Sequence, residues 1–429
     1  MSHDEKRGVS RRDFARLVAL AGWVPWVTHA DTAWAQATAL PPTPASPDEN
    51  FWLKVREQFV MPRDLGVMNA ANLCPSSAPV LQALYDVTKD MDANPSPQNR
   101  RKLSEGKEAT RKALAEFLRV TPEEIVITRN TSEANNTVSS GIDLKAGDEV
   151  IIFADNHPSN NAAWKIKSER WGFTVRELAV PNPHPGADYY VDAVSNAITP
   201  RTKLVAITHV TNTNGDLFPA KEIARVAHEH DALCHLDGAQ SFGLLDVDLS
   251  DIKPDFYTGS GHKWPCGPKE VGVLYVNKNV TTKLWPSIIS AGSGPIGVSK
   301  TIEGYGQRDE PAIMALARAL EFQTKIGRKA IETRSRDLAQ ALMEGLVRID
   351  GIKVLTHRDP SRSVATVRFQ HPMNGQKLAA ALYERDRLAF QGGGNSLRAS
   401  PHFFNTHEEI DRTIAAIRRY MSGGLGTAA

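Results

Sequence analysis

At 429 residues the chain is long enough for one large domain and a smaller companion, and an apolar fraction of 41% beside a charged fraction of 23% describes an ordinary globular protein. A formal net charge of +2 gives no electrostatic ground for nucleic acid or a membrane surface as partner, and no apolar run reaches the roughly 18 residues a spanning helix needs. The three cysteines, Cys74, Cys234 and Cys266, contain no C-x-x-C pair and describe no disulfide framework.

Residues 1–37 have the layout of a twin-arginine export signal. Ser10-Arg11-Arg12-Asp13-Phe14 is followed by a mildly apolar stretch from Leu17 to Val27. Two small-x-small sites then follow, Ala33-Trp-Ala35 and Ala35-Gln-Ala37. The expectation is a periplasmic protein, carried by the twin-arginine machinery and beginning near Gln36 or Thr38. Ala39 to Pro47 is a Pro-rich linker, within a 38–64 segment that ends in a helix from Phe51 to Phe59.

A large domain is expected over 65–300. It opens with a short strand and loop, Val67 to Pro75, a helix Pro79–Asp90, a loop Asn94–Arg101 and an amphipathic helix Leu103–Leu118. Strand and helix patterns then alternate. Strands are predicted over 125–128, 149–153, 173–180, 204–208, 232–236, 255–258 and 271–276. Helices are predicted from Thr131, over 160–171, 191–198 and 220–229. Short apolar strands separated by helices predict an α/β fold with a mostly parallel seven-stranded sheet covered on both faces. From 301 to 423 the pattern changes to a smaller α+β domain. Its helices are predicted over 311–326, 329–348, 376–385 and 407–420, and its strands over 353–355, 364–369, 388–391 and 397–399.

Ligands in open α/β sheets collect at the carboxyl ends of the strands. Thr131 and Ser132, Asn156 and His157, Asn212, and Asp237 each follow a predicted strand. Alone, each would be a helix cap or a turn residue; their joint appearance argues for a site. Asn130-Thr-Ser-Glu-Ala-Asn135 opens a helix, where free N–H groups and the helix dipole favour a phosphate. Asp237 ends an apolar run, and Lys263 lies further on in Ser260-Gly-His262-Lys263-Trp-Pro-Cys-Gly267-Pro268. An acid able to pair with a pyridinium nitrogen, and a lysine able to form a Schiff base, point to pyridoxal phosphate. Ser260 and His262 are placed to bind the phosphate, and His157 to stack on the ring. The segment His228-Glu-His230-Asp-Ala-Leu-Cys234-His235 gathers potential metal ligands, but their spacing makes them diverge on a helix, so no metal is expected.

The stretch His235-x-Asp237-x-Ala-Gln240, followed by Ser260-x-His262-Lys263-x-x-x-Gly267-Pro268, resembles the cofactor signature of the class V aminotransferase family of fold-type I pyridoxal phosphate enzymes. Asn156-His157-Pro-Ser-Asn160, His209-Val-Thr-Asn212-Thr-Asn-Gly215, Tyr305-Gly-Gln-Arg-Asp309 and Leu397-Arg398-Ala-Ser400-Pro-His402 support it. Within the family the chain looks most like the isopenicillin N epimerase-like branch, whose exported members include the enzyme that modifies the glutamyl residue of pyoverdine siderophores.

The resemblance implies several roles. Asn212 and Gln240 contact the ring hydroxyl. Thr131, Ser132, Ser260 and His262 hold the phosphate. Lys263, Asp237 and His157 are catalytic, and Arg398 takes the substrate α-carboxylate. It also implies a homodimer with a small amino-acid or peptide substrate, and aminotransferase, epimerase or lyase-type chemistry. The alternative is an exported binding protein that keeps the cofactor without turnover. Cysteine desulfurases carry a nucleophilic cysteine shortly before this arginine; Leu388–Ser396 has none. Where the family often has a threonine that reaches a partner subunit's phosphate, this chain has Gln307.

Overall fold

The computed structural model describes residues 40–425, and the export signal expected at the N-terminus lies outside them. In chain order the strands are β1 (Gly66–Val67), β2 (Ile125–Thr128), β3 (Glu149–Phe153), β4 (Thr174–Leu178), β5 (Thr202–Thr208), β6 (Leu233–Asp237), β7 (Phe256–Ser260), β8 (Gly272–Val276), β9 (Lys353–Val354), β10 (Val367–Gln370), β11 (Leu388–Ala389), β12 (Gln391–Gly393) and β13 (Ser396–Ala399). The helices are α1 (Glu49–Arg56), α2 (Ala78–Ala93), α3 (Pro97–Leu118), α4 (Thr131–Gly141), α5 (Pro158–Trp171), α6 (Ala187–Ala197), α7 (Ala220–Glu229), α8 (Leu249–Ile252), α9 (Ser299–Ile302), α10 (Glu310–Ile326), α11 (Arg328–Leu346), α12 (Gly375–Asp386) and α13 (His407–Gly423).

Seven strands form the main sheet in the order β2-β8-β7-β6-β5-β3-β4. Neighbours from β7 to β4 run parallel, and β8 alone is reversed, lying antiparallel to both β7 and β2. The expected α/β fold with a mostly parallel seven-stranded sheet is therefore observed. The reason lies in the strand sequences. Ile125-Val-Ile-Thr, Glu149-Val-Ile-Ile-Phe and Leu233-Cys-His-Leu-Asp are buried along their whole length, as strands covered by helices on both faces must be. Because β2, β3, β5, β6 and β7 all point the same way, their carboxyl ends share one edge. That edge receives Thr131, His157, Asn212, Asp237 and Lys263.

A second, antiparallel sheet has the order β12-β13-β10-β9, with α11, α12 and α13 contributing to its apolar core. Helix α10 packs instead on α2 and α3, and its Ile313, Leu316 and Leu320 belong to the main core.

Two local expectations change. The loop expected over Asn94–Arg101 is mostly helix, because Ser96 caps α3 by accepting from the Asn99 N–H at 3.3 Å and Pro97 takes the first helical position. The strand expected over Leu388–Gln391 splits in two, because the chain changes partner. Leu388 and Ala389 pair with Gly66 and Val67, whereas Gln391–Gly393 pair with β13.

Candidate active site

A cavity of about 230 Å³ opens at the shared carboxyl edge, and Thr131, Ser132, His157, Asp237, Ser260, His262 and Lys263 all line it. Asn212, Gln240 and Arg398 do not line this cavity.

Asp237 ends β6 and is buried. Its Oδ1 accepts from the Ala239 N–H at 3.0 Å and its Oδ2 from Asn135 Nδ2 at 2.8 Å. The amide of Asn135 is fixed in turn, since its Oδ1 accepts from Thr258 Oγ1 at 2.7 Å and lies 3.1 Å from His235 Nε2. The chain must then turn closely over the Tyr257 ring. A Cβ on Gly238 would sit 2.1 Å from that ring, so only glycine fits.

Lys263 stands in a loop closed by two backbone bonds, Gly267 N–H to Gly261 C=O at 2.8 Å and Cys266 N–H to Lys263 C=O at 2.9 Å. Its neighbour Trp264 anchors the loop. The indole donates to Gln240 Oε1 at 2.8 Å, and the Trp264 carbonyl accepts from Gln323 Nε2 at 2.6 Å. The Lys263 amine has no ion pair among the described residues. Burial holds its pKa below the ordinary lysine value; Asp237 opposes that shift and Arg398 adds to it.

The residues expected to hold a phosphate line one cavity. Thr131 N–H donates to Ser260 Oγ at 2.9 Å, and the two hydroxyls lie 2.7 Å apart. Asn130 caps α4 by accepting from Glu133 N–H at 3.0 Å, while the Glu133 carboxylate turns to the Arg129 N–H at 2.6 Å. Burial, and after it Lys263 and Lys269, lower His262 to about 4, so its neutral ring keeps one N–H donor. His157 caps α5. Its Nδ1 accepts from Ser159 N–H at 3.3 Å, which places the proton of the neutral ring on Nε2. Burial and then Lys263 lower its pKa.

The remaining expected residues also make contacts that hold the site's frame. Both ends of the Gln240 amide are engaged, Nε2 donating to the Ala71 C=O at 3.0 Å and Oε1 accepting from Trp264. The Asn212 carbonyl accepts from Arg398 Nη1 at 2.9 Å. Arg398 Nη2 reaches Asn69 Oδ1 at 3.2 Å, and its buried Nε has no acceptor among the described residues. Asn156 ties β3 to β5, donating to Ala206 C=O at 2.9 Å and accepting from Thr208 N–H at 3.0 Å. Gln307 accepts from Arg100 Nη2 at 2.7 Å. Cys74 is buried, with its Sγ 3.9 Å from the Ala70 carbonyl. His228 pairs with Asp255 at 2.8 Å, whereas His235 faces Asn135.

Sequence reasoning missed Asn135 and Trp264 as parts of the site. Asn135 lies four residues after Thr131 on the same helix, so both fall on the face turned to the strand ends; that spacing is the signal that could have found it.

The donor set fits pyridoxal phosphate. An amine whose pKa burial lowers, a fixed carboxylate, a hydroxyl-lined helix start and a neutral histidine border one cavity, and the buried Arg398 Nε has no acceptor among the described residues. A family model described as Aminotransferase class-V matches residues 70–413, and the chain belongs to that family. Its cofactor is pyridoxal phosphate, and it is an enzyme of that class.

Two relatives and one solved structure place it further. It is 30% identical to a probable cysteine desulfurase of Methanothermobacter thermautotrophicus, over 83% of this chain and 94% of that one. It is 32% identical to the isopenicillin N epimerase of Streptomyces clavuligerus, over 72% of this chain and 82% of that one, in keeping with the branch the cofactor stretch resembles. An apo cysteine desulfurase from Thermococcus onnurineus superposes with a TM-score of 0.77 at 24% identity, covering 86% of this chain and 98% of that one. That likeness carries the fold.

Proposed function

We propose that the protein acts at the amino group and Cα of an amino acid, or of a peptide bearing one, in the periplasm as a homodimer, with a glutamyl siderophore precursor the first peptide to test. The observation that carries this reading is the Lys263 amine. It has no ion pair among the described residues, burial lowers its pKa, and it lines the same cavity as Asp237 and the residues expected to hold the phosphate. Pyridoxal phosphate supplies an electron sink for charge that develops at Cα. Asp237, held by Asn135 and Ala239, keeps a fixed negative charge at the end of β6. Arg398 offers its free Nε–H to the substrate carboxylate. Lys263 Nζ, once displaced, takes the Cα proton and returns it. The retention of Lys263, Asp237 and Arg398 together favours turnover over a binding protein.

Borohydride reduction followed by peptide mass spectrometry tests the reading. The expected result is a cofactor adduct on the peptide containing Lys263, lost in Lys263→Ala, together with product masses from amino-acid or glutamyl-peptide substrates. Absence of the adduct overturns the proposal. Export is tested by N-terminal sequencing of the periplasmic fraction, expected to begin near Gln36 or Thr38; uncleaved protein confined to the cytoplasm overturns it.

A further inference from the structure

A second cavity, of about 380 Å³, is lined by Asp155, Asn182, Asn214, Arg368 and Gln370 among others. Its lining lies close to residues of the candidate site in sequence and in strand pairing. Asp155 lies two residues before His157, Asn214 two residues after Asn212, and Arg368 pairs directly with Arg398 across the antiparallel β10–β13 ladder. Side chains at paired positions leave the same face of a sheet, with Cβ atoms about 4.5–5.5 Å apart.

Two arginines set opposite one another repel, so the arrangement is destabilising without an anion between or beside them. Arg398 satisfies part of its guanidinium with the Asn212 carbonyl and Asn69. Arg368 has no carboxylate at ion-pair distance and no side-chain acceptor among the described residues; its engaged groups are backbone ones, the N–H donating to Thr356 Oγ1 at 2.9 Å and the carbonyl accepting from Leu355 N–H at 2.8 Å. The acid in the lining, Asp155, accepts from Thr213 Oγ1 at 2.7 Å; burial raises its pKa and the Arg368 charge acts against that rise from a distance, without an ion pair between the two side chains. The amides of Asn182, Asn214 and Gln370 supply neutral hydrogen-bonding groups around the guanidinium.

We infer that Arg368 holds a second carboxylate of the substrate, so that the enzyme selects amino acids or peptides whose reacting residue carries an acidic side chain. The inference rests on the reading of Arg398 as the α-carboxylate site. A glutamyl-sized substrate spans the pair, with its α-carboxylate on Arg398 and its side-chain carboxylate on Arg368, where a planar fork matches a planar anion.

The test uses the holoenzyme and two probes without an amine, glutarate and butyrate, measured by calorimetric titration. Glutarate is expected to bind at least about tenfold more tightly than butyrate, the worth of one charge-assisted pair. Arg368→Gln is expected to bring the two within about threefold, and Arg368→Lys to restore part of the difference. In parallel, the visible spectrum is titrated with L-glutamate and L-glutamine, and the ratio of their Kd values is expected to fall in Arg368→Gln by a similar factor. Equal glutarate and butyrate affinities in the wild type, or a preference that survives Arg368→Gln in a protein with wild-type circular dichroism, would overturn the inference. Glutarate selectivity that persists while no amino acid perturbs the spectrum would instead overturn the functional reading and leave the anion site standing.

Discussion

Replacing Asn135 by alanine should cost both stability and hold on the cofactor. Asn135 is 1% exposed. Its amide bridges Asp237 at 2.8 Å, Thr258 at 2.7 Å and His235 at 3.1 Å. Alanine strips all three at once. Thr258 and His235 lose a buried partner, and Asp237 keeps only the Ala239 N–H. An orphaned buried polar group costs about 1–3 kcal/mol, while alanine's better helix propensity returns about 0.7 kcal/mol at most. The net loss is about 3–5 kcal/mol, a large share of a typical domain's 5–15 kcal/mol. Urea unfolding of the apo protein measures it. A cycle with Thr258→Val isolates one bond, with an expected coupling of about 1 kcal/mol. Cofactor release, followed by absorbance after dilution, should also quicken, because Asp237 is no longer fixed. A variant within about 0.5 kcal/mol of wild type with unchanged release would refute the role assigned to Asn135.

Glu303→Gln should destabilise the fold by about 3–5 kcal/mol, because it breaks a buried charge cluster without removing its partners. Glu303 pairs with Arg111 at 2.7 Å and with Lys107 at 2.7 Å, and also accepts from the Ile127 N–H at 3.0 Å. Adding Arg111→Met should recover part of the loss; a urea midpoint for Glu303→Gln equal to wild type sinks the idea. Asp216 gives a pH signature. Burial, and then Asp155, raise its pKa from 3.8 to about 7. Between those values the folded state keeps a proton that the unfolded chain has lost, so stability falls as pH rises through that window, by up to about 4 kcal/mol. Asp216→Asn should therefore gain on wild type as urea unfolding is moved from about pH 5 to about pH 8; parallel profiles would show that Asp216 is not the source.

The main sheet was legible because its strands are short, apolar and bounded by turn residues. Runs such as Glu149–Phe153 can be buried only between two helical layers, and their count and order of appearance already imply a mostly parallel sheet. The reversal of β8 was not legible. Gly272–Val276 is as apolar as its parallel neighbours, and its direction is set by a short connection from β7 that the spacing alone does not orient. The breaks at Ser96-Pro97 and at Phe390 were misjudged for different reasons. The first is a capping pattern present in the sequence, whereas the second depends on Leu388 finding Gly66 rather than Ser396, a tertiary choice.

The same division runs through the site. Residues that touch the cavity sit at strand ends, and strand ends can be read, so Thr131, His157, Asp237, Ser260 and Lys263 were found and do come together. Residues that act through another side chain cannot be read that way. Gln240 reads from its position as a cofactor ligand, and the fold adds what position does not show: its amide also ties Ala71 to Trp264 and so anchors the lysine loop. Arg368 looks like a polar residue on the open face of a short strand. Its meaning comes from the β10–β13 register, which sets it against Arg398 and beside a cavity whose one acid, Asp155, makes no ion pair with it. Like charges directly opposite one another are destabilising, and no ion pair among the described residues relieves Arg368. That makes Arg368, rather than any residue of the cofactor stretch, the position from which substrate choice can be reasoned.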